Sequence, residues 1–350
     1  MHTAEQLTDV REAHRFDEAA LSQYLTEHLD GYREPLQIRQ FEGGQSNPTF
    51  LLSADSGQYV LRKKPPGELL PRAHMIEREY RILAALSATD VPVPRVYLLC
   101  EERNVIGTPF YLMDYVRGRL PDDSTLPNMK PVERRAVYED MLRVLARLHA
   151  VDYEALGLVD YGKTGNYFAR QIDRWSRQYR ASKTREIATM DRLMEWLPDN
   201  APDDDTSCIV HGDYRLENLL LAAEEAHVVA VLDWELSTLG HPLADLAHGC
   251  VQYHVSTGER EPLAKLAGAA SGIPTEHEYI EAYCRYAERP AIPNWNFYLA
   301  FSLFRYAGIV QGVYKRGLQG NASSQAATEM GSFVEIASDK AWELAQQTEP

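Results

Sequence analysis

Three polar side chains flank a predicted β-hairpin in the middle of the chain. Residues 219–232 hold two short apolar runs separated by a polar turn, a pattern typical of a hairpin. Asp213 and Asn218 precede the first run, and Asp233 follows the second. Carboxylate and amide oxygens suit a hard cation such as Mg²⁺ and suit soft metals poorly. The Asp at the start of this segment could accept a proton from an attacking hydroxyl group.

The spacing of these side chains matches the catalytic half of the protein-kinase pattern, in which four residues separate an Asp from an Asn. Here His211 and Gly212 precede Asp213, four residues follow, and Asn218 comes next. Asp233 stands in D-W-E, where protein kinases have D-F-G. The alternative is a surface hairpin with acidic residues placed by chance, but several upstream motifs agree with the catalytic interpretation.

The paired motifs H-G-D-x-x-x-x-N and D-W-E resemble those of the aminoglycoside phosphotransferase family of small-molecule kinases. More narrowly, they resemble the kinase-like domain fused to some acyl-CoA dehydrogenases. The likeness extends from about Gln37 to beyond Asp245. It implies an α+β, protein-kinase-like bilobal fold, with a small antiparallel β N-lobe that carries one key helix and a larger, mainly helical C-lobe. We expect a leading helical segment at 1–35, the N-lobe at 36–116 and the C-lobe at 117–350.

Composition limits the possible partners and the compartment. The 350 residues suffice for two lobes, and 45% apolar with 25% charged residues is ordinary for a soluble globular protein. The net charge of −15 disfavours nucleic acid and anionic membranes as partners. The first 15 residues are polar and no apolar run reaches the length of a membrane span, so we expect a cytoplasmic location. None of these features fixes the oligomeric state.

A glycine-containing stretch, G-G-Q-S-N, stands between two predicted strands at 37–41 and 49–53. Glycine lets backbone N–H groups approach phosphate oxygens closely, although a plain hairpin turn is the default for such a stretch by itself. In the resembling family this loop lies over the nucleotide phosphates. The resemblance therefore implies ATP contacts from Gly43, Gly44, Ser46 and Asn47.

A third predicted strand, 59–62, ends in basic residues. The position that matches the phosphate-binding Lys of kinases is Arg62, which can bind phosphate bidentately with a wider, planar group. Lys63 is held in reserve, because strand alternation directs it to the other face. A solvated basic strand end is the alternative.

The next predicted helix carries an acidic residue within an apolar stripe. Glu79 shares its helical face with Ile82, Leu83 and Leu86. A charge on a core-facing stripe needs a partner, and the kinase pattern supplies Arg62. Glu77 is the competing candidate.

The stretch P-F-Y-L-M-D-Y-V at 109–116 is a predicted strand. In kinase-like folds this strand leads into the hinge, whose backbone contacts adenine. We therefore expect main-chain nucleotide contacts from Asp114, Tyr115 and Val116. A buried strand without a ligand is the alternative that the sequence leaves open.

Further residues after the hairpin support or extend the site. Pro242 opens a predicted helix whose first turn holds Asp245, and the resemblance implies that this carboxylate braces the catalytic loop. His211 is expected to organise the same loop. Candidates for contacts with the acceptor are Glu235, His241, Trp295 and Tyr298, and Asn296 and Arg305 could line the same pocket. A turn role for His241 and core packing for the aromatic residues are the alternatives.

The resemblance implies a kinase that transfers the γ-phosphoryl group of ATP to a hydroxyl group of a small molecule, with Mg²⁺ as the second cofactor. Asp213 would accept the proton, Arg62 fixed by Glu79 would hold the α/β-phosphates, and Mg²⁺ would bind Asn218 and Asp233. The expected acceptor is a hydroxyacyl compound or another hydroxylated metabolite. The alternative is a catalytically impaired nucleotide-binding regulator of the same fold, because Arg62 replaces the usual Lys. A metal-dependent hydrolase would leave the glycine loop unused.

Overall fold

The computed structural model describes residues 7–42, 47–65, 75–256, 261–319, 327–328 and 330–347. The strands are β1 (Leu7–Thr8), β2 (Gln37–Phe41), β3 (Thr49–Ala54), β4 (Gly57–Lys63), β5 (Val96–Cys100), β6 (Phe110–Asp114), β7 (Cys208–Val210), β8 (Leu219–Leu221), β9 (Val228–Val231) and β10 (Thr238–Gly240). The α-helices are α1 (Glu18–His28), α2 (Ile76–Leu86), α3 (Arg103–Ile106), α4 (Pro131–His149), α5 (Tyr167–Ser182), α6 (Ala188–Asp199), α7 (Pro242–His254), α8 (Glu276–Tyr286), α9 (Trp295–Leu318) and α10 (Gly331–Gln346).

Two compact units divide the chain. One comprises Met1–Asn128 and Leu216–Leu236, and the other comprises Met129–Arg215 and Ser237–Pro350. The predicted boundary at residue 116 therefore differs from the observed division, since the predicted C-lobe included the hairpin.

The first unit is built on a six-stranded antiparallel sheet in the order β1-β2-β3-β4-β6-β5. The tight turn between β3 and β4 brings Ala54 opposite Gly57, whose φ of +146° favours glycine. The predicted strands 37–41, 49–53 and 59–62 correspond to β2, β3 and β4. Their boundaries are readable because turn residues and alternating apolar residues delimit each strand.

Helix α1 joins the core of the first unit. Leu21 and Leu25 are fully buried and cluster with Phe50 of the sheet. Asp17 caps the helix by accepting a 2.9 Å hydrogen bond from the N–H of Ala20. Helix α1 lies within 1–35, where the sequence predicted a leading helical segment.

The hairpin of β8 and β9 belongs to the first unit because of backbone hydrogen bonds to distant residues. The N–H of Arg119 donates to the carbonyl of Leu221 over 2.7 Å, and the N–H of Leu221 donates back over 2.9 Å. The N–H of Val231 donates to the carbonyl of Pro92 over 2.8 Å. These nonlocal bonds explain why the division of the chain differs from the prediction.

The second unit is mainly helical. Helix α9 packs against α5, α7 and α10, and α4 packs against α8. Residues of α9 are buried on most of its faces from Phe297 to Gly312, as expected for a helix in the middle of a core. Strands β7 and β10 pair antiparallel, and the chain passes from β7 directly into the H-G-D loop.

Residues 183–187 separate helices α5 and α6. Helix α10 begins at Gly331, and residues 320–326 and 329 lie outside the described part of the chain. Among the described helices, none has both the length and the apolar character that a membrane span requires.

Candidate functional site

Arg62 lies near the end of β4 and contacts two carboxylates of the first unit. Its Nε lies 3.1 Å from Oε2 of Glu79, in an ion pair that is not aligned for a hydrogen bond. Its Nη2 donates a hydrogen bond of 3.1 Å to Oδ1 of Asp233. Burial by itself would lower the pKa of Arg62, but the nearby negative charges outweigh burial, Glu79 most strongly, and raise the pKa. The guanidinium therefore stays charged between the two carboxylates.

Glu79 on α2 is held by further donors. Its side chain is 2% exposed. Oε1 accepts a 2.8 Å hydrogen bond from Nδ2 of Asn47, and Oε2 accepts one of 3.1 Å from the hydroxyl of Tyr111. The competing candidate, Glu77, instead pairs with Lys64 over 2.5 Å. Glu79 is therefore the partner of the basic strand residue, and the side chain of Asn47 is engaged with Glu79.

Strand alternation directs Lys63 away from Arg62, as predicted. Lys63 is buried, with Nζ 5.5 Å from the ring centroid of Phe16 and 5.9 Å from that of Phe50. Burial lowers the pKa of its ammonium group. The structure therefore gives no support to Lys63 as a substitute for Arg62.

Asn218 and Asp233 lie at the same end of the β8–β9 hairpin. Asn218 ends a short 3-10 helix directly before β8, and Asp233 follows β9 after Leu232. The N–H of Leu232 donates to the carbonyl of Asn218 over 2.9 Å, which ties these two segments together. Asp233 has φ of +64°, an uncommon conformation outside glycine that turns the chain after β9. Its side chain is 38% exposed.

This pair of oxygen-bearing side chains fits Mg²⁺. Within the described residues, no group of three or more His, Cys, Asp or Glu side chains is arranged to hold a metal ion. Mg²⁺ does not need such a cage, because it is usually bound by one or two protein ligands together with phosphate oxygens and water. Asn218 and Asp233 supply that kind of partial ligand set.

A cavity of about 400 Å³ lies within the first unit. Arg62, Glu79 and Asp233 line it together with apolar side chains, including Val60 and Met113. A cavity of this size with apolar walls and a few convergent charged groups is typical of a small-molecule or cofactor site. The predicted metal ligand and phosphate-binding residue are thus brought to the same cavity.

The predicted hinge residues also line this cavity, which includes Asp114, Tyr115 and Val116. The N–H of Asp114 donates to the carbonyl of Arg95 over 2.8 Å, so this N–H is already paired. The side chain of Asp114 accepts a short hydrogen bond from the hydroxyl of Tyr97. The predicted loop residues Gly43, Gly44 and Ser46 lie outside the described residues.

In the second unit, the H-G-D loop is fixed from both sides. The N–H groups of His211 and Gly212 donate to the carboxylate of Asp245 over 2.6 and 2.8 Å. Arg305 donates from Nη2 to the carbonyl of Gly212, whose φ of +85° favours glycine. Burial would raise the pKa of Asp245, but its hydrogen bond to His149 and the loop N–H groups lower it. Asp245 therefore holds the loop as an anion.

Asp213 completes this loop. Its N–H donates to Nδ1 of His211 over 3.2 Å, so the His211 ring organises the loop. Its Oδ1 lies 2.9 Å from Nε2 of His248, and its Oδ2 lies 3.5 Å from Nε of Arg215. Burial would raise the pKa of Asp213, but these neighbours, His248 most strongly, hold the pKa well below its usual range. The carboxylate is ionised at neutral pH, as a proton acceptor must be.

The predicted acceptor contacts differ in their burial and in their partners. Glu235 is half-buried in a short 3-10 helix of the first unit. His241 is buried: its Nδ1 accepts from the N–H of Leu243 over 3.2 Å, and its Nε2 lies 3.1 Å from Asp204. This packing makes His241 the cap of α7, which is the turn role left open by the sequence.

The aromatic candidates on α9 are also engaged in packing. Tyr298 is 4% exposed and stacks on His241 at 5.7 Å between ring centroids. Trp295 donates from Nε1 to Glu276 over 2.8 Å. Packing and internal hydrogen bonds thus engage His241, Trp295 and Tyr298, and their contact with an acceptor stays a prediction.

Sequence reasoning missed several residues of the site. Tyr111 holds Glu79, His248 contacts Asp213, and Arg305 holds the H-G-D loop rather than lining an acceptor pocket. A signal existed for Arg305, because a charge within the apolar pattern of α9 requires a buried partner. No comparable signal marked His248, since a single His among small and apolar residues usually indicates packing.

Comparison with known families identifies the chain. The sequence model of a family described as "Phosphotransferase enzyme family" matches residues 37–283, which is more than half of the chain. The chain belongs to the phosphotransferase enzyme family. Membership confirms the predicted enzyme class, a phosphotransferase that acts on a hydroxyl group.

Curated relatives of this phosphotransferase are longer proteins. Mouse acyl-CoA dehydrogenase family member 10 is 46% identical over 344 residues, which cover 96% of this chain and 32% of that protein. Human acyl-CoA dehydrogenase family member 11 is 43% identical over 350 residues, which cover 98% of this chain and 45% of that protein. The chain thus spans a third to a half of the relatives it matches, and the predicted likeness to a kinase-like domain in such proteins is confirmed.

Solved structures confirm the protein-kinase-like α+β fold of this phosphotransferase. A candidate aminoglycoside phosphotransferase from Ralstonia eutropha is 48% identical, with a TM-score of 0.89 over 96% of this chain and 100% of that one. A thermostable mutant of the aminoglycoside phosphotransferase APH(4)-Ia, in a ternary complex with AMP-PNP and hygromycin B, is 16% identical. Its TM-score is 0.60 over 93% of this chain and 98% of that one, which is a likeness of fold.

Proposed function

We propose that this phosphotransferase transfers the γ-phosphoryl group of ATP to a hydroxyl group of a small molecule in an Mg²⁺-dependent reaction. This proposal rests mainly on the cavity of the first unit. Its apolar walls suit a purine ring, and the charged guanidinium of Arg62 suits phosphate oxygens. The complex of APH(4)-Ia with AMP-PNP supports a nucleotide as the donor.

Arg62 holds the α/β-phosphates in this proposal, and Glu79 fixes the guanidinium in place. Asn47 and Tyr111 support Glu79 through the hydrogen bonds described above. The backbone after β6, at Tyr115 and Val116, contacts the base together with the carbonyl of Asp114. Gly43, Gly44 and Ser46 remain proposed contacts of the phosphates.

Asn218 and Asp233 would hold Mg²⁺ at the end of the β8–β9 hairpin where both residues lie. When bound, the ion neutralises charge on the phosphate oxygens. The bond of Asp233 to Arg62 links the proposed metal ligand to the proposed phosphate-binding residue. Positioning and charge stabilisation are the main requirements of phosphoryl transfer.

Asp213 orients the acceptor hydroxyl group and takes its proton. Its depressed pKa keeps it ionised at neutral pH, and Asp245, His211 and Arg305 fix its loop. General-base assistance of this kind contributes roughly 10²–10⁴-fold to turnover. His211 acts on the loop and does not carry the proton.

The proposed acceptor is a hydroxyacyl compound. The curated relatives that cover nearly all of this chain bear the name acyl-CoA dehydrogenase, and the matched part is a third to a half of each. A kinase joined to an acyl-processing enzyme favours an acyl group that carries the hydroxyl. Other hydroxylated metabolites are the competing acceptors.

A screen of ATP consumption tests this proposal. Hydroxyacyl-CoA esters, free hydroxy acids, sugars and aminoglycosides are offered with MgATP, and ADP is measured for the natural protein and for Asp213→Asn. We expect Mg²⁺-dependent ADP formation with a hydroxyacyl compound, and its loss in Asp213→Asn. Turnover with only another class of compound would overturn the assignment of a hydroxyacyl acceptor. Turnover unaffected by Asp213→Asn would overturn the role of Asp213.

A catalytically impaired nucleotide-binding regulator is the second candidate. Arg62 in place of Lys, bonded to Asp233, is the observation that favours it. Tight binding of MgATP with no ADP formation, including slow hydrolysis with water as acceptor, would support this candidate over the kinase.

A further inference from the structure

Helix α7 contacts the H-G-D loop through two side chains. Asp245 and His248 are three residues apart, so both project from the same face of the helix. Asp245 accepts the backbone N–H groups of His211 and Gly212, whereas His248 contacts the carboxylate of Asp213. The same helix therefore fixes both the backbone of the loop and the side chain of the proposed base.

The contacts of His248 indicate which ring nitrogen donates to Asp213. Its side chain is 12% exposed, and Nε2 lies 2.9 Å from Oδ1 of Asp213. Nδ1 is buried and has no hydrogen-bond partner within the described residues. The ionised carboxylate of Asp213 can only accept a hydrogen bond, so Nε2 carries a proton and its N–H donates to Oδ1.

The second oxygen of Asp213 has a different environment. Oδ2 lies 3.5 Å from Nε of Arg215, whose side chain is 50% exposed. An ion pair at this distance and exposure is weak and gives little control of geometry. The 2.9 Å bond to His248 is the shorter of these two contacts and comes from a side chain that is 12% exposed, compared with 50% for Arg215.

We propose that His248 is a positioning residue for Asp213: it binds Oδ1, so that the carboxylate turns Oδ2 toward the acceptor hydroxyl group. This inference rests on the proposed role of Asp213 as the base. A general base must lie within hydrogen-bond reach of the proton it takes, so loss of its orientation lowers kcat. We expect nucleotide binding to be independent of this contact, because the proposed nucleotide cavity is lined by residues of the first unit.

The test is the hydrolysis of MgATP with water as the acceptor, and its rate is measured from the ADP released. We expect His248→Leu to lower kcat roughly 10–100-fold, with the KM for MgATP changed less than about threefold. His248→Gln should restore most of kcat, because the amide nitrogen of Gln reaches a position similar to Nε2 and donates a hydrogen bond. A merely structural role would not produce this rescue.

A double-mutant cycle makes the test specific for Asp213. In the Asp213→Asn background, His248→Leu should lower kcat by less than about threefold further, since the carboxylate it positions is gone. His254 offers a matched control, because it lies on the same helix, is 14% exposed and bonds Glu276 over 2.7 Å. His254→Leu should leave kcat within about threefold of the natural protein.

Three results would overturn the inference. The first is an unchanged kcat in His248→Leu although Asp213→Asn is impaired. The second is an equal decrease of kcat in His248→Leu and His254→Leu. The third is a decrease of kcat in the double variant that equals the product of the two single decreases. The first of these leaves the proposed function intact. Full turnover in Asp213→Asn would instead remove the proposed function, and this inference with it.

Discussion

Arg62 donates a 3.1 Å hydrogen bond from Nη2 to Oδ1 of Asp233, so the basic residue of β4 contacts the carboxylate proposed as a metal ligand. The same guanidinium pairs with Glu79 through Nε. Lys presents a single point charge and cannot span two carboxylates in the same fork geometry. Arg62 is therefore suited to link α2, β4 and the hairpin within the first unit.

Removal of this cation is expected to destabilise the fold. Arg62→Met leaves Glu79 buried without its counter-ion, which should lower the free energy of unfolding by about 3 kcal/mol or more. Arg62→Lys keeps a positive charge and should lower the free energy of unfolding by less. Urea unfolding followed by tryptophan fluorescence measures both. Lys64→Met is a control, because the partly exposed pair with Glu77 should contribute less than ~1 kcal/mol. Equal small losses at both sites would refute the buried pair as a stabilising contact.

Asp233 is expected to be required for the effect of Mg²⁺ on nucleotide binding. In titration calorimetry, the natural protein should bind AMP-PNP more tightly with Mg²⁺ than without it, because the phosphate oxygens complete the coordination of a metal ion held by the protein. Asp233→Ala should lose this difference. Glu224→Ala, an exposed change in the turn of the same hairpin, should keep it. An undiminished Mg²⁺ effect in Asp233→Ala would refute the metal assignment.

His241 is expected to make stability depend on pH near neutrality. Burial lowers its pKa in the folded protein below the ordinary value of 6.5. Below that value the unfolded chain binds a proton that the folded ring resists, so the free energy of unfolding falls as the pH drops from 7.5 to 5.5. The pKa of its partner Asp204 is lowered to about 2, so Asp204 titrates below this window.

His241→Asn removes this titration and keeps the cap of α7, since Asn is a good capping residue. Urea unfolding at pH 7.5 and 5.5 should show a larger loss of stability in the natural protein than in His241→Asn. Equal losses, or greater stability of the natural protein at the lower pH, would contradict the pKa shift at His241.

Much of the fold was predictable from local patterns in the sequence. Strands β2 to β4 were predictable because Gly57 and the neighbouring turn residues delimit alternating runs. The place of the β8–β9 hairpin in the first unit was not predictable, because it depends on backbone hydrogen bonds between Arg119 and Leu221 and from the N–H of Val231 to the carbonyl of Pro92. The paired residues are more than a hundred positions apart in the chain. Such pairings leave no local periodic signal.

Some residues of the candidate site were also predictable from local sequence, and others were not. Arg62 and Glu79 were predictable as a pair because a known motif and a buried charge both required partners. His248 and Tyr111 were missed, because each acts through a contact that only the folded chain creates. His241 was predicted as a substrate contact because proximity in sequence to the motif does not reveal burial.

The central claim is phosphoryl transfer with Asp213 as the base, and ADP release from MgATP tests it most directly. Turnover of the natural protein, Asp213→Asn and the natural protein with EDTA is compared at saturating nucleotide. We predict Mg²⁺-dependent turnover that falls by roughly 10²–10⁴-fold in Asp213→Asn, while this variant still binds AMP-PNP. Turnover that persists in Asp213→Asn, or that does not require a divalent cation, would contradict the account.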